Sequence, residues 1–285
     1  MYTKSHFSLT DVEIDIDLAR ILSDSLNSSD SIQDLKKIYS CIDNTTLEGS
    51  DNNERIKKFC TDTYLATNVE KEIKSVASVC VYPTFVKLAK ECLIGKGIRV
   101  ASVAGGFPSA QMPFNLRLQE VKYAVDEGAD EIDTVLSRGM LLEGRYDAVF
   151  KELTAIRSVC KGLKLKVILE TGDLHTTDNI YIASKIALAA GADFIKTSTG
   201  KIAVGATEKA AYIMLKAIQE EAKTAGRIAG FKAAGGISTP QQALNYYKIA
   251  EYFLGNNIDN NLFRIGASRL TKSLYEQLTA QIAYM

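Results

Sequence analysis

Asp133, Lys196 and Lys232 are ionisable residues set inside short runs of mostly apolar or small ones: Glu131-Ile132-Asp133-Thr134-Val135-Leu136, Phe194-Ile195-Lys196-Thr197-Ser198 and Gly230-Phe231-Lys232-Ala233. Charged side chains are seldom buried unless paired. Side chains alternate faces along a strand, so each of the three can point to the inside of a sheet while its neighbours pack outside. One such lysine alone is ordinarily a side chain that snorkels to water; two lysines and an aspartate on three separate runs read as a site. The chemistry that such a trio serves is attack of an amine on a carbonyl, for which the amine must be neutral. A free lysine titrates at about 10.4, so bringing it near 7 asks for roughly 3 units, or about 4–5 kcal/mol. Burial and a second ammonium both push that way. Lys196 is therefore expected as the nucleophile, Lys232 as the like charge that keeps it neutral, and Asp133 as the group that balances the charge and moves protons through a water.

The elements that position these residues follow from an alternation of strand-like apolar runs with helical patterns, the signature of β-α repeats on a parallel sheet. Eight runs are found, beginning at Ile38-Tyr39-Ser40-Cys41-Ile42, Ser75 to Val81, Ile98 to Val103 and Glu131 to Leu136, and continuing at Leu165 to Glu170, Phe194 to Ser198, Gly230 to Ala233 and Phe263 to Ala267. Helical segments between them include Leu116 to Glu127 and Asp178 to Ala190, the latter with Asp178 as N-cap and Gly191 as terminator. Gly-Ala-Asp recurs at 128–130 and 191–193, each time just before a strand, which predicts a repeated helix-to-strand turn. Eight strands with intervening helices fit an α/β (β/α)8 TIM barrel, although periodicity alone leaves a doubly wound open sheet as the alternative. Residues 1–37 show helical spacing from Val12 to Leu26 and read as a helical N-terminal extension; residues 38–285 form the catalytic barrel domain.

Composition narrows the function further. Lysine plus arginine equals aspartate plus glutamate at 34 each, which argues against nucleic acid or an anionic membrane as partner and favours a small molecule. No stretch approaches a membrane span, and the N-terminus lacks a basic segment followed by an apolar run, so the cytoplasm is expected. The five cysteines (41, 60, 80, 92 and 160) form no C-x-x-C pair and read as reduced thiols. The two histidines, His6 and His175, have no metal-binding spacing, which disfavours a zinc-dependent enzyme; His175 reads as a loop residue.

The segments Gly191-Ala192-Asp193-Phe194-Ile195-Lys196-Thr197-Ser198-Thr199-Gly200-Lys201 and Gly230-Phe231-Lys232-Ala233-Ala234-Gly235-Gly236 resemble signature segments of the deoxyribose-phosphate aldolases, which are class I, Schiff-base-forming enzymes. Asp43-Asn44-Thr45-Thr46-Leu47, Cys80-Val81-Tyr82-Pro83, Glu131-Ile132-Asp133 and Phe263-Arg264-Ile265-Gly266-Ala267-Ser268 accompany them in order, so the resemblance runs from about residue 40 to about residue 270. It implies a Schiff base on Lys196 and proton transfer by Asp133 and Lys232. It further implies reversible cleavage of 2-deoxy-D-ribose 5-phosphate to acetaldehyde and D-glyceraldehyde 3-phosphate, in deoxyribonucleotide catabolism, with no cofactor or metal and commonly in a homo-oligomer.

Phosphate is expected at the loops after the sixth to eighth strands, where glycines let backbone N–H groups approach an anion. Thr199, Gly200, Lys201, Gly235, Gly236, Gly266 and Ser268 are the candidates, with ordinary turn chemistry as the rival reading of the glycine pair. Asp43 and Thr45 are secondary candidates for substrate hydroxyls, against simple turn capping. Cys80 is a candidate pocket thiol, against an inert buried cysteine. One departure stands out: Arg269 follows Ser268 where members of the family often carry a second serine. Two other classes stay open on the residues alone, a different phosphate-binding barrel enzyme and a catalytically silent barrel.

Overall fold

A computed structural model describes residues 6–27, 32–68, 73–256 and 258–283. Two helices, α1 (Asp11–Asn27) and α2 (Ile32–Ser40), lead into β1 (Ile42–Thr45), α3 (Asn53–Asn68), β2 (Ser78–Val81), α4 (Val86–Leu93) and β3 (Arg99–Ala104). There follow α5 (Phe114–Asp126), β4 (Glu131–Val135), α6 (Arg138–Leu142), α7 (Tyr146–Val159), β5 (Lys164–Ile168) and α8 (Thr177–Ala189). The chain closes with β6 (Phe194–Lys196), α9 (Glu208–Ala225), β7 (Gly230–Ala234), α10 (Pro240–Leu254), β8 (Phe263–Ala267) and α11 (Leu270–Ala283). All eight strands pair in parallel and in sequence order, and β8 returns to β1, so the sheet is a closed barrel rather than the open alternative.

Alternation along the strands sorts the side chains. Ile42, Val79, Val100, Ile132, Val167, Ile195, Phe231 and Ile265 join the core that packs against the helices. The positions between them face inward, and there the barrel is not the usual apolar filling: Asp43, Glu131, Asp133, Lys166, Lys196, Lys232 and Arg264 are all buried. Small apolar groups complete the interior, with Cys80, Ala101 and Val103 packed under Leu47, and Val135 and Ile168 packed with Ala110.

The repeated Gly-Ala-Asp turn is present twice in the same form. Gly128 and Gly191 take φ of +95° and +91°, a region that glycine enters without penalty. Ala129 and Ala192 donate their N–H groups back to the carbonyls of Ala124 and Ala187, satisfying two helix ends. Asp130 and Asp193 then accept the N–H of Val100 and Leu165 from the neighbouring strand, which locks each turn to the sheet.

Three local expectations are corrected. Ile38, Tyr39 and Ser40 are not the first strand but the last turn of α2, whose Leu35, Ile38 and Tyr39 form one buried helical face. A short apolar run does not distinguish a strand from a buried helix segment, and the extension's second helix thus runs past residue 37. The second strand begins at Ser78 rather than Ser75. The N-cap of α8 is Thr176, whose hydroxyl accepts the N–H of Asn179; Asp178 instead accepts the N–H of Phe7 and contacts His6, tying the extension to the barrel. The extension packs on α9 and α10, with Tyr212 donating to Asp17 at 2.6 Å.

Candidate active site

The three residues singled out from the sequence meet at one carboxylate. Asp133 Oδ2 accepts from Lys196 Nζ and from Lys232 Nζ, each at 2.8 Å, while its Oδ1 accepts from Lys166 Nζ at 2.7 Å. Lys232 also reaches Asp43 at 2.5 Å, and Lys166 reaches Glu131 at 2.6 Å. Arg264 closes the cluster from below, bonding Asp43 and, at 2.8 Å, Glu131. Strand register brings these groups together: Asp133 pairs with Lys166, Lys196 with Lys232, and Lys232 with Arg264. Gly266 makes room for this packing, because a Cβ there would stand 3.0 Å from Lys232 Cε and from Ala234 Cβ.

Charge counting identifies the odd member. Asp43, Glu131 and Asp133 supply three buried negative charges, and Lys166, Lys232 and Arg264 supply three buried positive ones. Lys196 would be a fourth cation in a region already neutral. The shifts agree with this count. Burial lowers the Lys196 pKa, the nearby Asp133 charge opposes that, and Lys232 reinforces it, for a net shift downward. Burial alone would also lower Lys232, but Asp133 and Asp43 outweigh it and hold the ammonium above its ordinary value. Lys166 is likewise raised against its burial by Asp133, Asp43 and Glu131. Burial pushes Asp133 up, and the ammonium groups of Lys166, Lys196 and Lys232 overcome it, so its carboxyl lies far below the usual carboxylate range. Two lysines that share one carboxylate oxygen are therefore shifted in opposite senses, and the one that opens to the cavity is the one whose charged form is disfavoured.

That opening is a cavity of about 210 Å³ at the carboxyl ends of β1, β6, β7 and β8, where a parallel barrel places its chemistry. Lys196, 3% exposed, forms its floor. Thr45, Thr199, Gly200, Lys201, Gly235, Gly236, Gly266 and Ser268 all line it, and so does Arg269, at the position where the chain departs from the family pattern. Gly235 takes φ of +94°, and Gly205 leaves no room for a side chain, since a Cβ there would lie 2.4 Å from the Gly235 carbonyl oxygen. The loop after β6 is thereby pressed onto the loop after β7, with Ala206 donating to Gly235 O at 3.0 Å.

Two expectations about the cavity wall do not match the geometry. Asp43 is fully buried beneath it, engaged with Lys232 and Arg264, and is not among the lining residues. Cys80 is also fully buried and absent from the wall, packed with Leu47, Ala101 and Val103; burial raises its thiol pKa, which keeps it protonated and unreactive. Exposed His175 lies in the loop after β5, as expected. The strand reading passed over Lys166, Arg264, Glu131 and Glu170, although all four stand within the apolar runs. Lys166 between Leu165 and Val167, and Arg264 between Phe263 and Ile265, carry the same signal as Lys196, an ionisable residue on the inward beat of an apolar alternation.

A closed parallel barrel with a cation-flanked lysine of lowered pKa at the floor of a mouth cavity defines a barrel enzyme whose site is built around an amine. The family model described as DeoC/LacD family aldolase matches residues 38–247, most of the barrel, and the chain belongs to that family of aldolases. It is 41% identical over 255 residues to the deoxyribose-phosphate aldolases of Mus musculus and of Homo sapiens, covering 86% of this chain and 80% of each relative. Among solved structures, a candidate deoxyribose-phosphate aldolase from Coccidioides immitis superposes with a TM-score of 0.73 at 28% identity, covering 95% of this chain and 98% of that one. A tetrameric deoxyribose phosphate aldolase from Aeropyrum pernix shares the fold with a TM-score of 0.70 at 24% identity, over 96% and 100% of the two chains. Among the described residues no helix is long and apolar enough to cross a membrane.

Proposed function

We propose that this aldolase reversibly cleaves 2-deoxy-D-ribose 5-phosphate to acetaldehyde and D-glyceraldehyde 3-phosphate through a Schiff base on Lys196. The observation that carries the proposal is the pairing of Lys196 and Lys232 on one oxygen of Asp133, with opposite shifts, at the floor of a cavity rimmed by glycines, Lys201 and Arg269.

In the cleavage direction the neutral Lys196 amine attacks the C1 aldehyde of the open-chain sugar, and the carbinolamine loses water to give an imine. Lys232, held protonated, donates the proton that lets hydroxide leave as water. Removal of the C3 hydroxyl proton through a water near Asp133 and Lys232 breaks the C2–C3 bond and releases the three-carbon aldehyde. The bonding electrons remain as an enamine on C2. Protonation at C2 and hydrolysis of the imine then free acetaldehyde and the lysine. Burial, reinforced by Lys232, lowers the pKa of the amine and so raises the fraction of it able to attack, while Asp133 stands 2.8 Å from the nitrogen that becomes the iminium.

The phosphate would sit against the backbone of Gly200, Gly235 and Gly236, with Lys201, Ser268 and Arg269 around it. Thr45 would meet a sugar hydroxyl. Asp43, which does not reach the cavity, would act on Lys232 rather than on substrate. The chain is proposed to work in the cytoplasm as a homo-oligomer, in catabolism of deoxyribose phosphate; the tetramer of the Aeropyrum pernix protein supports assembly. The test is release of acetaldehyde from 2-deoxyribose 5-phosphate, followed through an alcohol dehydrogenase and NADH, beside a panel of ketose phosphates and keto acids. Acetaldehyde from the first substrate alone is expected; cleavage confined to a ketose or keto acid would overturn the assignment.

A further inference from the structure

Glu170 is a fully buried carboxylate that the chemistry above does not use. It follows β5 by two residues and adopts φ 56°, ψ 60°, a left-handed conformation that is costly for a non-glycine residue and that recurs at functional sites. In that conformation both of its oxygens reach Thr199. Oε1 accepts the backbone N–H of Thr199 at 3.1 Å, and Oε2 accepts the Thr199 hydroxyl. The same hydroxyl accepts the N–H of Lys201 at 3.1 Å. Arg138, at the start of α6, neutralises the carboxylate from the other side at 3.0 Å and also approaches Asp173 at 3.4 Å. One buried charge thus fixes Thr199, Gly200 and Lys201, three consecutive cavity-lining residues that begin three positions after the lysine nucleophile.

We propose that Glu170 is a positioning residue that sets the preference for a phosphorylated over an unphosphorylated sugar, by holding the Thr199–Lys201 backbone where a phosphate must meet it. This rests on the reading that the cavity takes a sugar phosphate. Glu170 does not line the cavity, so it acts only through Thr199. An ionised carboxylate suits the task because it accepts from N–H, hydroxyl and guanidinium together, whereas an amide has a single acceptor oxygen and repels the Arg138 donor with its NH2 group. Lys196 is fixed by its own strand and by Asp133, so loosening the loop should leave imine chemistry in place.

The experiment compares wild type with Glu170→Gln and Glu170→Asp. The aspartate keeps the charge for Arg138 and tolerates left-handed backbone, but is one methylene too short to reach Thr199. For each protein, kcat/KM is measured on 2-deoxyribose 5-phosphate and on 2-deoxyribose, together with the rate of borohydride trapping with acetaldehyde. Misplaced binding groups commonly cost about 10–100-fold, so both variants should lose phosphate preference by that order, chiefly in KM, with trapping within about twofold of wild type. Should Glu170→Gln not fold, Glu170→Asp carries the same expectation. Unchanged preference in a folded variant, or equal loss on both sugars together with lost trapping, overturns the positioning role. Absence of any phosphate preference in wild type would overturn the sugar-phosphate reading itself, a distinct result.

Discussion

Replacing Lys232 by Met tests whether charge balance is what neutralises Lys196. The two ammonium nitrogens share one oxygen of Asp133, each 2.8 Å from it, so they stand no more than 5.6 Å apart. At an effective dielectric of about 20, two unit charges at that separation repel by roughly 3 kcal/mol, equivalent to about 2 pK units. Removing Lys232 takes one buried cation from the carboxylates of Asp43, Glu131 and Asp133, leaving Lys166, Arg264 and, at Glu131, the half-buried Arg99, so the charged form of Lys196 is favoured. Its pKa should rise by about 2 units, and because only the neutral amine attacks, trapping at a pH below both values should slow by about 100-fold. The assay is the rate of reductive trapping with acetaldehyde and cyanoborohydride against pH, read on the intact protein by mass spectrometry. The acid limb should move to higher pH and recover at the alkaline end. Lys232→Arg, which keeps the charge, should leave the limb in place. A Lys232→Met protein that is folded by circular dichroism, yet has an unmoved or acid-shifted limb, would refute the reasoning.

Lys166→Met should destabilise the barrel by about 3–5 kcal/mol in urea unfolding, because it strands Glu131 and Asp133 in the interior; adding Glu131→Gln should cost less than the two losses summed. Gly266→Ala should cost roughly 1–3 kcal/mol and lower kcat, since its methyl meets Lys232 Cε at 3.0 Å and displaces that ammonium from Asp133. Lys196→Met should be inactive yet more stable than wild type at neutral pH. The Lys196 pKa is lowered on folding, so below the unfolded value the unfolded chain holds the proton more readily than the folded site, and stability is diminished as pH falls from there. Removing the lysine should recover roughly 0.5–2 kcal/mol at pH 7, with the gain vanishing above about pH 10.4.

The cluster of Asp133, Lys196 and Lys232 was legible because an ionisable residue in an apolar alternation is costly without a reason, and the three share that reason. Lys166 and Arg264 carry the same alternation and were passed over, since what marks them as counter-charges is the pairing of Lys166 with Asp133 across the β4–β5 register and the contact of Arg264 with Asp43 across the barrel, neither of which is written in any one strand. The helical ending at Ile38 to Ser40 was misread because three apolar or small residues fit either period. The seat of the extension lies in contacts such as Asp17 with Tyr212 and Phe7 with Asp178, more than 170 positions apart, which local pattern does not connect. Glu170 looked like the polar end of a strand; only its left-handed backbone and its grip on Thr199 distinguish it.

The most direct test of the central claim is peptide mapping after incubation with acetaldehyde and borohydride at neutral pH. A reduced two-carbon adduct confined to Lys196, and absent from Lys166 and Lys232, is the result this charge arrangement predicts. An adduct on either of the other two buried lysines, or trapping that survives Lys196→Arg, would contradict it.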